Sequence, residues 1–99
     1  MIVEILPRAR QRINVVAAWW RKNRADAPTL FEDELADLIE KLKVHPVLGG
    51  IHETVAGATI LKARLRKTEQ SVYYSVDEAR GRISIHTVWG GRRGRKPKL

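Results

Sequence analysis

The spacing of hydrophobic and polar positions changes its period once along this chain, and the change separates two structural halves. Val3 and Ile5 alternate with Glu4 and stop at Pro7, the pattern of a short first strand. Pro7 suits a first helical turn, where its missing N–H removes no helical hydrogen bond. Ile13, Val16, Ala17 and Trp20 then recur at i, i+3, i+4 and i+7, which predicts a helix to about Asn23 with one apolar face. Arg8, Arg12, Arg21 and Lys22 fall largely off that face, toward solvent. Asp26 reads as the N-cap of a second helix, with Pro28 in its first turn. Glu32, Asp33 and Glu34 crowd the start of this helix, where the macrodipole favours acids. Its apolar stripe is Phe31, Leu35, Leu38, Ile39 and Leu42; Lys41 and Lys43 occupy the last turn and Pro46 ends it.

Residues 47–57 contain Gly49, Gly50 and Gly57 and read as a loop. Beyond them the period falls to two. Thr59, Leu61, Ala63 and Leu65 alternate with Ile60, Lys62, Arg64 and Arg66; Val72, Tyr74 and Val76 with Tyr73 and Ser75; Ile83, Ile85 and Thr87 with Ser84 and His86. Two short turns join these three strands into an antiparallel meander whose apolar face needs a cover, and the helix hairpin supplies it. The expectation is a two-layer α+β domain of order β-α-α-β-β-β, an antiparallel sheet packed against an N-terminal helix hairpin. It spans residues 1–91, followed by a basic C-terminal tail at 92–99.

Composition narrows the chemistry. The chain has 99 residues and no cysteine, so it holds a single modest core and excludes disulfides, thiolate nucleophiles and cysteine zinc sites. The longest apolar run, Val15 to Trp20, is far short of the roughly 20 residues a membrane span requires. No basic leader runs into an apolar stretch at the N-terminus, so a cytoplasmic protein is expected, with no membrane partner. Charge is uneven. Residues 1–61 balance eight Lys/Arg with eight Asp/Glu, whereas residues 62–99 set eleven Lys/Arg against Glu69, Asp77 and Glu78. Such a basic half points to a polyanionic partner: nucleic acid, an enzyme already holding nucleic acid, or an acidic protein segment.

Individual side chains refine this. Lys62, Arg64 and Arg66 form a cationic strip on the face opposite Leu61 and Leu65, where parity also places Tyr73; Tyr74 belongs to the core. A sheet covered on one side carries charge on the other in any case, so this strip alone assigns no function. Trp19 and Trp20 cannot both face the sheet; Trp20 fits the core stripe, leaving Trp19 at the hairpin seam or open to a partner. His45, His52 and His86 share no metal-ligand spacing, and no metal or other cofactor is expected. Gly90, Gly91 and Gly94 precede no helix and do not form a phosphate loop.

The order of elements and several local patterns resemble the RelE/ParE toxin superfamily over nearly the whole chain. The resemblance starts with Val3-Glu4-Ile5-Leu6-Pro7-Arg8-Ala9. It continues through Trp19-Trp20 and the pattern Phe31…Leu35…Leu38…Leu42…Pro46. Its most telling stretches run from Leu61 to Thr68, from Val72 to Asp77, and from Ile83 to Trp89 before the basic end. It implies the toxin of a type II toxin–antitoxin pair. ParE-like members act on DNA gyrase, RelE-like members cut messenger RNA on the ribosome without a metal, and both are neutralised by an antitoxin segment that wraps the toxin. In the ribonuclease branch the strand residues are basic and a Tyr or His often lies near the C-terminus. Lys62 and Arg64 match that pattern and Arg92 or Arg93 matches the later arginine, but Ser71 stands in place of a cation and no Tyr or His follows Trp89. The Lys67-Thr68…Tyr73-Tyr74 pattern and the arginine-rich ending are similar to ParE.

The expectation is therefore a gyrase-binding toxin without an active site of its own. Arg92, Arg93, Arg95, Lys96 and Lys98 would contact the gyrase–DNA target. Trp19, Arg64, Arg66, Tyr73 and Arg82 would receive an acidic, partly disordered antitoxin segment in a hetero-oligomer. The alternatives are a ribosome-dependent mRNA endonuclease using Lys62, Arg64 and Arg93, and a non-toxic small nucleic-acid-binding protein.

Overall fold

The computed structural model of the chain describes residues 1–90, 97 and 99. Five strands and two helices follow in the order β1 (Ile2–Ile5), α1 (Pro7–Asn23), α2 (Leu30–Val44), β2 (Gly50–Val55), β3 (Ala58–Leu65), β4 (Gln70–Asp77) and β5 (Arg82–Gly90). The strands form one sheet ordered β1-β5-β4-β3-β2. The two-layer α+β expectation is met in outline, with two corrections.

The first correction concerns strand number. Residues 47–57 are not all loop: Gly50–Val55 is an edge strand of six residues pairing antiparallel with β3. The hairpin closes through Ala56 and Gly57, both at positive φ (50° and 82°), the mirror-image turn whose twist matches that of the flanking strands. Period-two alternation is hidden because the register shifts between Ile51 and Glu53, and because an edge strand leaves both faces partly open.

The second correction concerns direction. The sheet is mixed, since β1 runs parallel to β5, with Val3 opposite Ile83 and Ile5 opposite Ile85. Alternation reports which face a residue takes and carries no information on the direction of the neighbouring strand.

The core forms where the predicted faces meet. Ala9, Ile13, Val16, Ala17 and Trp20 of α1 and Phe31, Leu35, Leu38 and Leu42 of α2 close on Leu61, Ala63, Leu65, Val72, Tyr74, Ile83, Ile85 and Val88. Val88 takes the core place expected for Thr87, because the β4–β5 register shifts by one residue around His86 and inverts the parity beyond it. Helix α2 starts at Leu30, later than expected, with Thr29 rather than Asp26 at its N-cap; Asp26 instead lies 3.6 Å from Arg24 in an ion pair. Glu34 accepts hydrogen bonds from the Lys67 and Thr68 amides (2.8 and 3.1 Å) and from Thr68 Oγ1 (2.7 Å), tying α2 to the β3–β4 turn. Gly49 carries the chain from α2 into β2 and donates its N–H to Tyr74 Oη at 2.9 Å. Among the described residues no helix is long and apolar enough to cross a membrane.

Candidate partner-binding groove

One face of α1 goes into the core; a second face stays open and carries more apolar area than a solvated helix needs. Val15 and Trp19, one turn apart, are 58% and 52% exposed, and Arg8 and Gln11 continue the same side of the helix toward its start. Strand β1 stops pairing with β5 at Ile85, because the chain rises at Leu6 and Pro7 into α1, while β5 runs on to Gly90. The sheet margin beyond β1 and the open side of α1 therefore enclose a groove of about 870 Å³, lined from α1 by Arg8, Gln11, Arg12 and Val15 and from β5 by His86, Thr87 and Trp89. A second recess of about 510 Å³ shares Arg12 and Val15 with it and extends past Trp19 to Arg24, Lys67 and Glu69.

The cations of this region hold defined positions. The Arg12 guanidinium lies over the Trp89 ring, 5.1 Å from its centroid, and Arg24 lies 5.0 Å over Trp20. Arg8, Arg12, Arg24 and Lys67 line the two recesses, with Glu69 the one acidic side chain among the described lining residues. An apolar floor with a positive rim suits a ligand that is both aliphatic and anionic. Pro97 and Leu99 also line the first recess, and Pro97 is buried.

The outer face of the sheet is less open than its parity implied. Lys62, Arg64 and Arg66 are exposed, as expected. Tyr73 faces the same way but is only 3% exposed, which corrects its placement among accessible contact residues. His52 meets its ring edge-on at 4.8 Å, and Lys62 Nζ stands 5.8 Å from its centroid. Ser71, opposite Arg64 in the β3–β4 register, is also buried.

Further along this face Ser75 Oγ and His86 Nε2 are 2.8 Å apart. Burial lowers the His86 pKa from 6.5, so its imidazole is neutral at neutral pH. A neutral ring beside a hydroxyl can pass a proton. Lys62 and Arg64, the cations that a phosphodiester cleavage would use, lie on β3 with β4 between them and His86. No group of three or more His, Cys, Asp or Glu that could hold a metal ion occurs among the described residues.

The five side chains expected to receive an antitoxin do not form one surface. Trp19 lines the second recess. Arg64 lies on β3, Arg66 just beyond its end in the turn to β4, and Tyr73 is buried. Arg82 pairs with Glu4 at 3.4 Å at the start of β5, roughly 20 Å along the strand from Trp89 at the usual rise per residue. The tail cations Arg92, Arg93, Arg95, Lys96 and Lys98 lie outside the described residues. Arg12 and Val15 line the second recess with Trp19 and the first with Trp89, and neither they nor Trp89 were singled out as contacts. Val15 left a trace in the sequence, an aliphatic residue one turn from Trp19 and off the buried stripe; Arg12 and Trp89 are brought together only by the fold.

A scan against protein-family models matches none of them, and a search of curated proteins finds no significant match.

Proposed function

We propose that this chain is the toxin of a type II toxin–antitoxin pair, of the ParE-like kind, which binds DNA gyrase or its DNA complex and blocks replication until a cognate antitoxin neutralises it. The reading rests on the residue-level resemblance set out above. The structural observation that carries it furthest is the cation-rimmed apolar groove at Val15, Trp19 and Trp89, an open surface suited to an acidic protein partner. The small α+β architecture, with its helix hairpin over one sheet face, is compatible with it. Five cations within residues 92–98 supply the contacts to a DNA-bound target, and the cytoplasm is where that target lies.

The test is a gyrase supercoiling and cleavage assay with the full chain and with a form truncated after Gly91, circular dichroism confirming that both are folded. The full chain inhibits and the truncated form loses most of its effect. Each lost phosphate contact also removes a slope of about 0.9 from the dependence of binding on salt. A full chain that leaves gyrase untouched overturns the proposed target. The endonuclease reading retains the exposed Lys62 and Arg64, and mapping mRNA 5′ ends after induction separates the two: cuts at set codon positions favour cleavage, and their absence favours gyrase.

A further inference from the structure

The two edges of the sheet are unequal. At one edge β1 is four residues long, and the chain turns away from it into α1 at Pro7. At the other edge lies β2, six residues long and, among the described residues, paired only with β3. The outward N–H and C=O groups of such a strand can accept a further strand. Helix α1 packs on β5, and α2 on β1 and β3. The helix side of β2 stays bare: Ile51 is 78% exposed there, and Val47 (67%) and Leu48 (52%) just before the strand are open as well. Edge strands are commonly guarded by lysine or proline. Here no Lys, Arg or Pro occurs from Val47 to Leu61, and Glu53 is the one charged residue in that stretch, although the chain carries 19 Lys and Arg. A polyanion finds no cation on this stretch, whereas a second copy of this cationic chain meets no opposing cations from it.

The strand is also self-complementary, and its bulge makes it so. Ile51 pairs with Leu61 and Glu53 with Ile60, which leaves His52 as the extra residue. The His52 ring meets Tyr73 on the outer face, where Glu53 also lies, and His52 Nε2 is 3.2 Å from Glu53 Oε1. Ile51 and Thr54 therefore both take the helix side, and Gly50 and Val55 both take the outer side. Directly opposed residues of an antiparallel pair share a face. A two-fold axis between His52 and Glu53, perpendicular to the sheet, sets Gly50 against Val55, Ile51 against Thr54 and His52 against Glu53 of the second copy, each pair on matching faces. A regular strand of six residues fails this requirement, because residues equidistant from its midpoint face opposite ways.

We propose that β2 is a homodimerisation edge: two copies of this chain pair it antiparallel about that axis and join their sheets into one. Glu53 of each copy then lies opposite His52 of the other, and Val47 and Leu48 come beside the other copy's hairpin end at Val55 and Ala56. The contact is isologous, so it closes at two copies. Six paired residues and three aliphatics bury less than the roughly 800 Å² per partner of a standard interface, so the dimer forms only at high concentration. This goes beyond the toxin reading and does not depend on it.

Sedimentation velocity of the nuclease-treated full chain, over a concentration series and in salt of about 0.5 M to screen repulsion between the two cationic bodies, shows monomer passing to dimer. Ile51→Lys raises the dimer dissociation constant about tenfold or more, because each dimer loses two buried isoleucines. Ile2→Lys, at an exposed position on the opposite edge, leaves it unchanged. Circular dichroism confirms that both variants fold. Register is read from the double substitution Gly50→Cys and Val55→Cys, in a chain with no other cysteine. A Cβ at Gly50 meets no atom within 4 Å. Within one chain these thiols lie roughly 16 Å apart along the strand and cannot bridge. Across the two-fold they face each other, so mild oxidation yields a disulfide-linked dimer, and neither single variant does. Monomer at every concentration, undiminished association of Ile51→Lys, dissociation by Ile2→Lys, or equal cross-linking by the single variants overturns the proposal. Association that nuclease or salt abolishes is bridging by nucleic acid and overturns it too. None of these measurements involves gyrase, so failure here is distinguishable from failure of the proposed function.

Discussion

Glu34 of α2 holds Thr68 of the β3–β4 turn twice, accepting from its backbone N–H at 3.1 Å and from its hydroxyl at 2.7 Å, across thirty-four residues of sequence. Thr68 is buried, so its hydroxyl relies on this carboxylate. Glu34→Ala leaves the hydroxyl and two amides to find new partners and costs about 2–3 kcal/mol. Glu34→Gln keeps an acceptor oxygen and costs less. Urea denaturation midpoints of the two variants check the order.

The adjacent tryptophans of α1 are expected to diverge. Trp20 is 6% exposed within the core, and its replacement by alanine costs about 3–5 kcal/mol through lost contacts and a cavity. Trp19 is 52% exposed, and Trp19→Ala changes stability by less than about 1 kcal/mol. Chemical denaturation of the two single variants measures both values; a large loss at Trp19 would mean that the residue is structural rather than available to a partner.

Gly49 has no room for a side chain. A Cβ there would stand 2.7 Å from the Lys62 carbonyl oxygen and 2.9 Å from Tyr74 Oη, the atom that accepts the Gly49 N–H. Gly49→Ala must push β2 away from β3 or break the bond to Tyr74, at roughly 1–3 kcal/mol. Gly50→Ala meets no atom within 4 Å and serves as the control. Thermal melts of the pair are expected to differ accordingly.

His86 makes stability depend on pH in a direction its environment dictates. Because burial lowers its pKa in the folded chain, the unfolded chain takes up the proton first as pH falls below the ordinary value of 6.5. The unfolded state then binds more protons, so stability declines with falling pH between 6.5 and the depressed folded pKa, and this group adds no slope above 6.5. Replacing it by glutamine keeps a polar partner for Ser75 and removes that part of the decline. Denaturation at pH 7.5 and 5.5 is expected to show a larger drop for the unaltered chain than for His86→Gln. Equal drops would place the pH dependence elsewhere.

Local periodicity was enough to determine both helices, the three strands after residue 57, and most of the core, including Trp20, Phe31, Leu61, Tyr74 and Ile85. Burial on a single face repeats with the period of the element that carries it, so each of these residues declares its side without reference to distant sequence. Composition likewise determined that cysteine chemistry is absent and that positive charge gathers in the second half. Where two distant segments must meet, that information runs out. The parallel pairing of β1 with β5, the edge strand Gly50–Val55 and the register shift that seats Val88 in place of Thr87 depend on which strand lies alongside, and hydrogen-bond pairing leaves no period in either segment. Tyr73 obeyed its predicted face and was buried nonetheless, because His52 comes across from an edge strand that alternation does not reveal. The groove is the clearest product of tertiary structure alone: Arg12 and Trp89 lie seventy-seven residues apart in sequence, and they meet because β5 runs on five residues past Ile85, where its pairing with β1 ends.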